Sequence, residues 1–294
     1  MLAWDNRSLK STETLAFISR NIYRVQKRAL VNWNVKSMMD DAIESIRWKR
    51  TDLSSFLVHL TKCHEYGGNE LSAFDSLKSI LREDENGVCK LVGSDGSNIG
   101  LFSGVKCVRD KTLLKSVCFT EAPLDQIKHF EKLFESPSKN DYSSYGLVFE
   151  QKYIREMNGN PCFYVNTLGG NSLKMAIISI ADLIDCINDL KQREPSQLPI
   201  CVHNYAQNIE KIFPYFNIYG PAGGYADRMT RDYYWEREWR VPGDLNFKHE
   251  DVFCGLCEDE VVEDFSIDYP KIPFICPEWN NDKILKALRD WSYS

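Results

Sequence analysis

The stretch Trp235-Glu236-Arg237-Glu238-Trp239-Arg240-Val241-Pro242-Gly243-Asp244 constrains this chain more than any other. Its residues read as a β-strand, and alternation along a strand sets Glu236 and Glu238 side by side on one face. Two carboxylates held together raise each other's pKa and cost stability. Such a pair is kept for ligand or catalytic work, or else it is neutralised. Arg237 points to the wrong face for that, whereas Arg240 projects from the same face as the pair.

Residues 215–234, just ahead of the pair, are rich in aromatics and glycine, and Gly220-Pro221 and Gly223-Gly224 mark a mobile loop there. Tyr219 and Tyr225 of that loop, with Arg240, are candidate substrate-binding residues. Upstream, residues 56–62 form an apolar strand carrying His59, followed by a helix over residues 71–83 with Gly87 as its C-terminal cap. Residues 116–124 read as a strand running into a helix with Pro123 near its first turn. Thr120 and Glu121 then fall where the helix N-terminus offers free amide donors, a ligand rim. Glu121 serves equally well as a complement to that helix dipole. Further strands are expected at 142–149, 161–166, 251–256, 261–265 and 272–276, and a final helix at 283–291.

With 294 residues, 43% of them hydrophobic, the chain can bury one large core, alone or with a small appendage. Its ten cysteines are scattered singly, mostly in apolar runs, which fits reduced thiols in a cytosol better than a disulfide scaffold. Cys254-Gly-Leu-Cys257 has no second pair at zinc-ligand spacing and reads as a structural strand, and no metal is expected. Residues 175–190 are the most apolar but are interrupted by Asp182, Asp185 and Asp189, and the N-terminus lacks a signal-peptide core. The expectation is a cytoplasmic protein with no membrane partner. A nucleophile elbow, a phosphate-binding loop and a His-Glu-x-x-His motif are all lacking, as are repeats and coiled-coil runs.

The net charge of −6 argues against a protein that coats nucleic acid, but the charge is uneven. The first fifty residues carry +5 and the remainder −11. Helical spacing begins near Ser11 and again near Met38, so a basic helical extension over residues 1–50 is expected before an α+β domain over residues 51–294. The extension is either a lid on the core or a docking surface.

The substrate-recognising loop leading into a Glu-x-Glu strand resembles the ADP-ribosyltransferase superfamily. His59-Leu60-Thr61 followed by a helix is similar to the start of its histidine-type members. The ordered blocks His-Leu-Thr, Val-Cys-Phe-Thr-Glu-Ala-Pro-Leu, Tyr-Gly-Leu-Val-Phe, Asn-Pro-Cys-Phe-Tyr-Val and Trp-Glu-Arg-Glu-Trp-Arg-Val resemble, across residues 54–278, the AbiGi family of bacterial abortive phage-infection proteins.

The superfamily resemblance implies two mainly antiparallel sheets around a cleft, with NAD as a substrate. It makes Glu238 the catalytic carboxylate that stabilises oxocarbenium-like charge, and Glu236 the group that orients or deprotonates the acceptor. His59 would bind NAD with Thr61 in support and Thr120 at the rim, while Tyr145, or else Phe119 or Tyr164, stacks on the nicotinamide. The acceptor would be a phage or host protein or nucleic acid. The alternative is a non-catalytic antitoxin or phage-sensing regulator with a degenerate transferase fold, engaging a toxin through its N-terminal helices. A closed, buried pair between Glu236 and Arg240 would favour that alternative.

Overall fold

A computed structural model of the chain describes residues 54–62, 64–66, 69–94, 114–129, 142–166, 172–193, 199–221, 230–231 and 236–292. The N-terminal extension and Tyr225 lie outside the described residues. The strands are β1 (Phe56–Lys62), β2 (His64–Tyr66), β3 (Asn69–Leu71), β4 (Cys89–Leu91), β5 (Ser116–Thr120), β6 (Tyr142–Glu150) and β7 (Asn160–Pro161). They continue as β8 (Phe163–Asn166), β9 (Phe216–Pro221), β10 (Thr230–Arg231), β11 (Glu238–Pro242), β12 (Leu245–Phe247), β13 (Val252–Leu256) and β14 (Phe274–Ile275). The helices are α1 (Ala73–Ile80), α2 (Leu124–Ile127), α3 (Gln151–Glu156), α4 (Ser172–Arg193), α5 (Ile200–Glu210), α6 (Val262–Asp268) and α7 (Asn281–Ser292).

The fold is mixed α+β. Its centre is a seven-stranded sheet in the order β14-β13-β6-β1-β5-β11-β7, antiparallel except for the β13–β14 pair. A three-stranded sheet, β10-β9-β8, contains a parallel β8–β9 pair. The large sheet is covered on both faces. Leu57, Leu147, Phe149, Phe119 and Trp239 pack on one side with Leu77 of α1 and Phe265 of α6. Val58, Val148 and Leu256 pack on the other with Ile127 of α2 and Ile284 of α7. A strand buried on both faces needs consecutive apolar residues, which is why Leu147-Val148-Phe149 is a run rather than an alternation.

Several local expectations are corrected. Residues 261–265 do not form a strand. The β-branched Val261-Val262 suggested one, but Glu263 and Asp264 suit a helix first turn, and α6 buries only Phe265. Helix α1 starts with Ser72, whose side chain accepts the Asp75 amide at 3.0 Å, and ends at Leu81. Gly87 is therefore not its cap; with φ of 70° it completes the turn closed by Asp84. Gly220-Pro221 is not loop but the end of β9, paired with β10. Within the seven-stranded sheet β1 and β5 share the single register pair Val58–Thr120.

On its other side β1 packs closely against β6. Gly146 pairs with Leu60, and a Cβ there would lie 2.5 Å from the His59 carbonyl oxygen. Neither strand can yield, because both are buried on both faces. Gly146→Ala is expected to destabilise the protein by about 1–3 kcal/mol, the usual range for overpacking, as measured by urea unfolding; a midpoint unchanged from wild type would refute the tight approach.

Candidate functional site

Strands β1 and β5 are joined by one bridged pair, Val58 with Thr120, whereas β1 and β6 share six. Beside this weak junction lies a cleft of about 450 Å3, within the range of small-molecule sites. Lys62, His59, Cys118, Thr120, Glu236 and Glu238 line it. A larger surface hollow of about 1020 Å3 runs along α5 and includes none of the candidate residues. The smaller cleft is the one that gathers candidate side chains.

The two carboxylates do not reach it by strand alternation. Arg237 has φ of 46°, a left-handed conformation that interrupts the extended chain, so β11 starts only at Glu238 and Glu236 sits in the turn before it. Thr120 fixes that turn. Its hydroxyl donates to the Glu236 carbonyl at 2.5 Å and accepts the Ala122 amide at 3.1 Å. The Arg237 carbonyl accepts the Glu121 amide. Glu121 in turn accepts from Gln151 at 2.9 Å and from the Trp239 indole at 3.2 Å, so its contacts are to the protein itself.

Glu238 and Arg240 form a closed, buried ion pair, each 6% exposed. Arg240 Nε donates to Glu238 Oε1 at 2.8 Å and Nη2 to Oε2 at 3.0 Å, a two-point geometry suited to the planar guanidinium. Asn217 donates to Oε2 as well. The remaining guanidinium nitrogen, Nη1, donates to the carbonyls of Pro214 and Phe216 at 3.0 and 2.9 Å. The Glu238 amide donates to the Tyr164 hydroxyl at 2.8 Å. Tyr164 and Asn217 are register partners across β8 and β9, so the pair fastens β11 of the large sheet to the three-stranded sheet. Arg240, a candidate for substrate binding, is committed to Glu238; of the two carboxylates it is Glu238 that it meets, because those two residues alternate on one strand and Glu236 does not belong to it.

Electrostatics follow from this geometry. Burial pushes the Glu238 carboxyl up, but Arg240, Cys118 and Asn217 outweigh it and hold it below its ordinary value. Burial opposes the Arg240 charge, and Glu238 raises the guanidinium above its ordinary value. Burial, with Glu238 beside it, pushes the Cys118 thiol up to about 12, so it stays protonated and hydrogen-bonds Glu238.

His59 is lowered by burial, only partly offset by the Cys118 carbonyl 2.8 Å from its Nδ1. A neutral ring facing a carbonyl carries its proton on Nδ1, which leaves Nε2 an acceptor. Burial also lowers Lys62, against the pull of Glu236, Cys118 and Glu238. Lys62, Cys118 and Asn217 were missed in the sequence. Alternation from Val58 through Leu60 could have placed Lys62 on the cleft face, but nothing local signals Asn217, which arrives through the β8–β9 pairing.

The other candidates lie elsewhere. Thr61 donates to the carbonyls of Ala73 and Tyr145 at 3.0 and 3.2 Å, tying β1 to α1 and β6. Tyr145 is buried in the core, edge-on to Phe74 at 5.9 Å and near Phe265, with its hydroxyl raised by burial and Glu258. It is therefore in no position to stack on a cleft ligand. Tyr219 belongs to β9 opposite Asn166. Among the described residues, no group of three metal-ligating side chains converges, and no described helix is long and apolar enough to cross a membrane.

The pair makes a pH signature. Since the folded Glu238 pKa is depressed, its contribution is present above the unfolded value of 4.5 and is lost as pH falls through the folded value. Arg240→Met leaves the carboxylate buried without its cation, a loss of about 3–5 kcal/mol. Burial then raises the carboxyl, so this group's contribution reverses sign: it is present below 4.5 and is lost as pH rises from there through the raised folded value. Urea unfolding from pH 3.5 to 7 should show the two opposite slopes; parallel slopes would contradict the assignment.

Residues 107–271, more than half of the 294-residue chain, match the sequence model of a family described as abortive phage resistance protein AbiGi, antitoxin. No curated protein and no solved structure shows significant similarity to the chain. The match takes in β5, β6, the three-stranded sheet and the Glu238–Arg240 pair of β11. The chain belongs to the AbiGi family.

Proposed function

We propose that this chain is the non-catalytic, antitoxin-type component of an abortive phage-infection pair, and that its Glu-x-Glu segment is retained for structure. The observation that carries this reading is the closed Glu238–Arg240 pair. A carboxylate that stabilises developing positive charge must face the reacting centre with its charge uncommitted. Glu238 instead gives both oxygens to Arg240, with Asn217 sharing one of them. Neutralising a toxin by binding requires no such charge, and the family description as an antitoxin supports the same conclusion.

One observation favours a second reading. Glu236 lines the cleft with His59 and Lys62, so an NAD-consuming transferase would here rely on Glu236, with a macromolecule as acceptor. The two readings separate in one set of assays. Purified wild type incubated with labelled NAD should release nicotinamide no faster than buffer, and co-expression should relieve growth arrest by the toxin of its pair equally well with Glu236→Gln or His59→Ala. Nicotinamide release by wild type that falls about 10²–10³-fold in Glu236→Gln would replace the antitoxin reading with the transferase.

A further inference from the structure

The hollow along α5, about 1020 Å3 and at the upper end of small-molecule sites, shares no lining residue with the cleft beside β1 and β5. Its walls are mostly carboxamides. Asn204, Gln207 and Asn208 stand three and four residues apart on α5 and so share one face. Asn158 and Asn160 line the same hollow from the turn between α3 and β7 and from β7 itself. All of these amides are exposed. Asparagine is among the poorer helix formers, and a water-facing helix is ordinarily surfaced with charged residues, so this face is not what helix stability selects. Deeper in the hollow lie Pro214, which is buried, and Tyr215 and Pro242, which are half-buried. The Tyr215 hydroxyl donates to the Asn158 carbonyl at 2.7 Å, which fixes the ring in place.

We propose that this hollow binds a neutral carbohydrate, an oligosaccharide whose rings lie on the tyrosine and prolines and whose hydroxyls reach the amides. A sugar ring presents an apolar C–H face and an edge of hydroxyls, each of which both donates and accepts. A carboxamide does the same, with its NH2 as donor and its carbonyl as acceptor. An apolar floor under a rim of amides is therefore complementary to both parts of the ligand at once.

The charges at the hollow are engaged within the protein. Lys115 pairs with Asp244 at 2.7 Å, Glu210 accepts from Asn188 at 2.7 Å, and Lys211 donates to Asn208 at 3.2 Å. Phosphate and nucleic acid are held by uncommitted cations, so they fit these walls poorly. A polyproline-type peptide offers carbonyl acceptors but few donors, which would leave the acceptor half of each amide unused. The tyrosine hydroxyl that would serve such a peptide is already given to Asn158. Carbohydrate binding here is independent of the antitoxin reading.

The test applies the fluorescently labelled full chain to an array of neutral and acidic oligosaccharides, with an array of peptides beside it. Retention on neutral glycans is expected, and it should change little between about 0.1 and 0.5 M salt because no ion pair holds the ligand. Asn204→Ala combined with Gln207→Ala should weaken that binding by about tenfold or more, the loss of one or two hydrogen bonds. Far-ultraviolet circular dichroism should be unchanged in this variant, since both side chains are exposed. No neutral glycan retained, retention of acidic glycans alone that salt abolishes, or binding indifferent to the two changes would overturn the proposal. Retention of peptides in place of glycans, lost in the same variant, would overturn carbohydrate as the ligand class.

Discussion

The buried ion pair between Glu238 and Arg240 is the interaction on which the arrangement of this domain depends. Removing two charges from water costs several kcal/mol per ion, and attraction repays that only when geometry is good and the remaining polar atoms are satisfied. Here they are. The carboxylate receives Arg240 at two points and Asn217 at one of them, and the third guanidinium nitrogen reaches the backbone carbonyls of Pro214, just ahead of β9, and of Phe216, its first residue. The contacts with Asn217, Pro214 and Phe216 run between β11 and the segment that leads into and forms β9 of the three-stranded sheet. The pair therefore fixes how the two sheets meet.

The same commitment shapes the cleft between β1 and β5. With Glu238 neutralised at its wall, the polar character of the space comes from Glu236, Lys62 and a neutral His59. Glu236 owes its position to the left-handed Arg237 and to the Thr120 hydroxyl on its carbonyl. A chain that pairs its strand carboxylate this completely has spent on architecture the charge a transferase would use, which accords with membership of a family described as an antitoxin.

Much of the fold was legible in the sequence, and the exceptions have physical causes. Strand β1 matched its apolar run to the residue, and Pro123 marked the start of α2, because local patterning decides such elements. The site was only half legible. Alternation correctly set Glu238 and Arg240 on one face, but it failed at Glu236, since a single positive φ at Arg237 moves a residue out of register and no side-chain pattern announces it. Tyr145 looked like a stacking ring because a strand tyrosine gives no hint of which layer covers it; helices α1 and α6 supply Phe74 and Phe265 from distant sequence. Asn217 depended on a parallel pairing between β8 and β9, separated by two helices, and non-local partners of that kind are invisible to periodicity.

The central claim, that Glu238 is held for structure by Arg240, is tested most directly by a double-mutant cycle on unfolding free energy. Glu238→Met and Arg240→Met are made singly and together, with unfolding followed in urea at neutral pH. Each single change strands a buried charge, while the double change replaces the pair by apolar side chains of similar size, which is often close to neutral. The account predicts that each single variant loses about 3–5 kcal/mol and that the double variant recovers most of the loss, so the coupling exceeds the roughly 3 kcal/mol that is the upper end for contacting residues. Additive losses, or a Glu238→Met variant as stable as wild type, would contradict it and return Glu238 to the list of functional carboxylates.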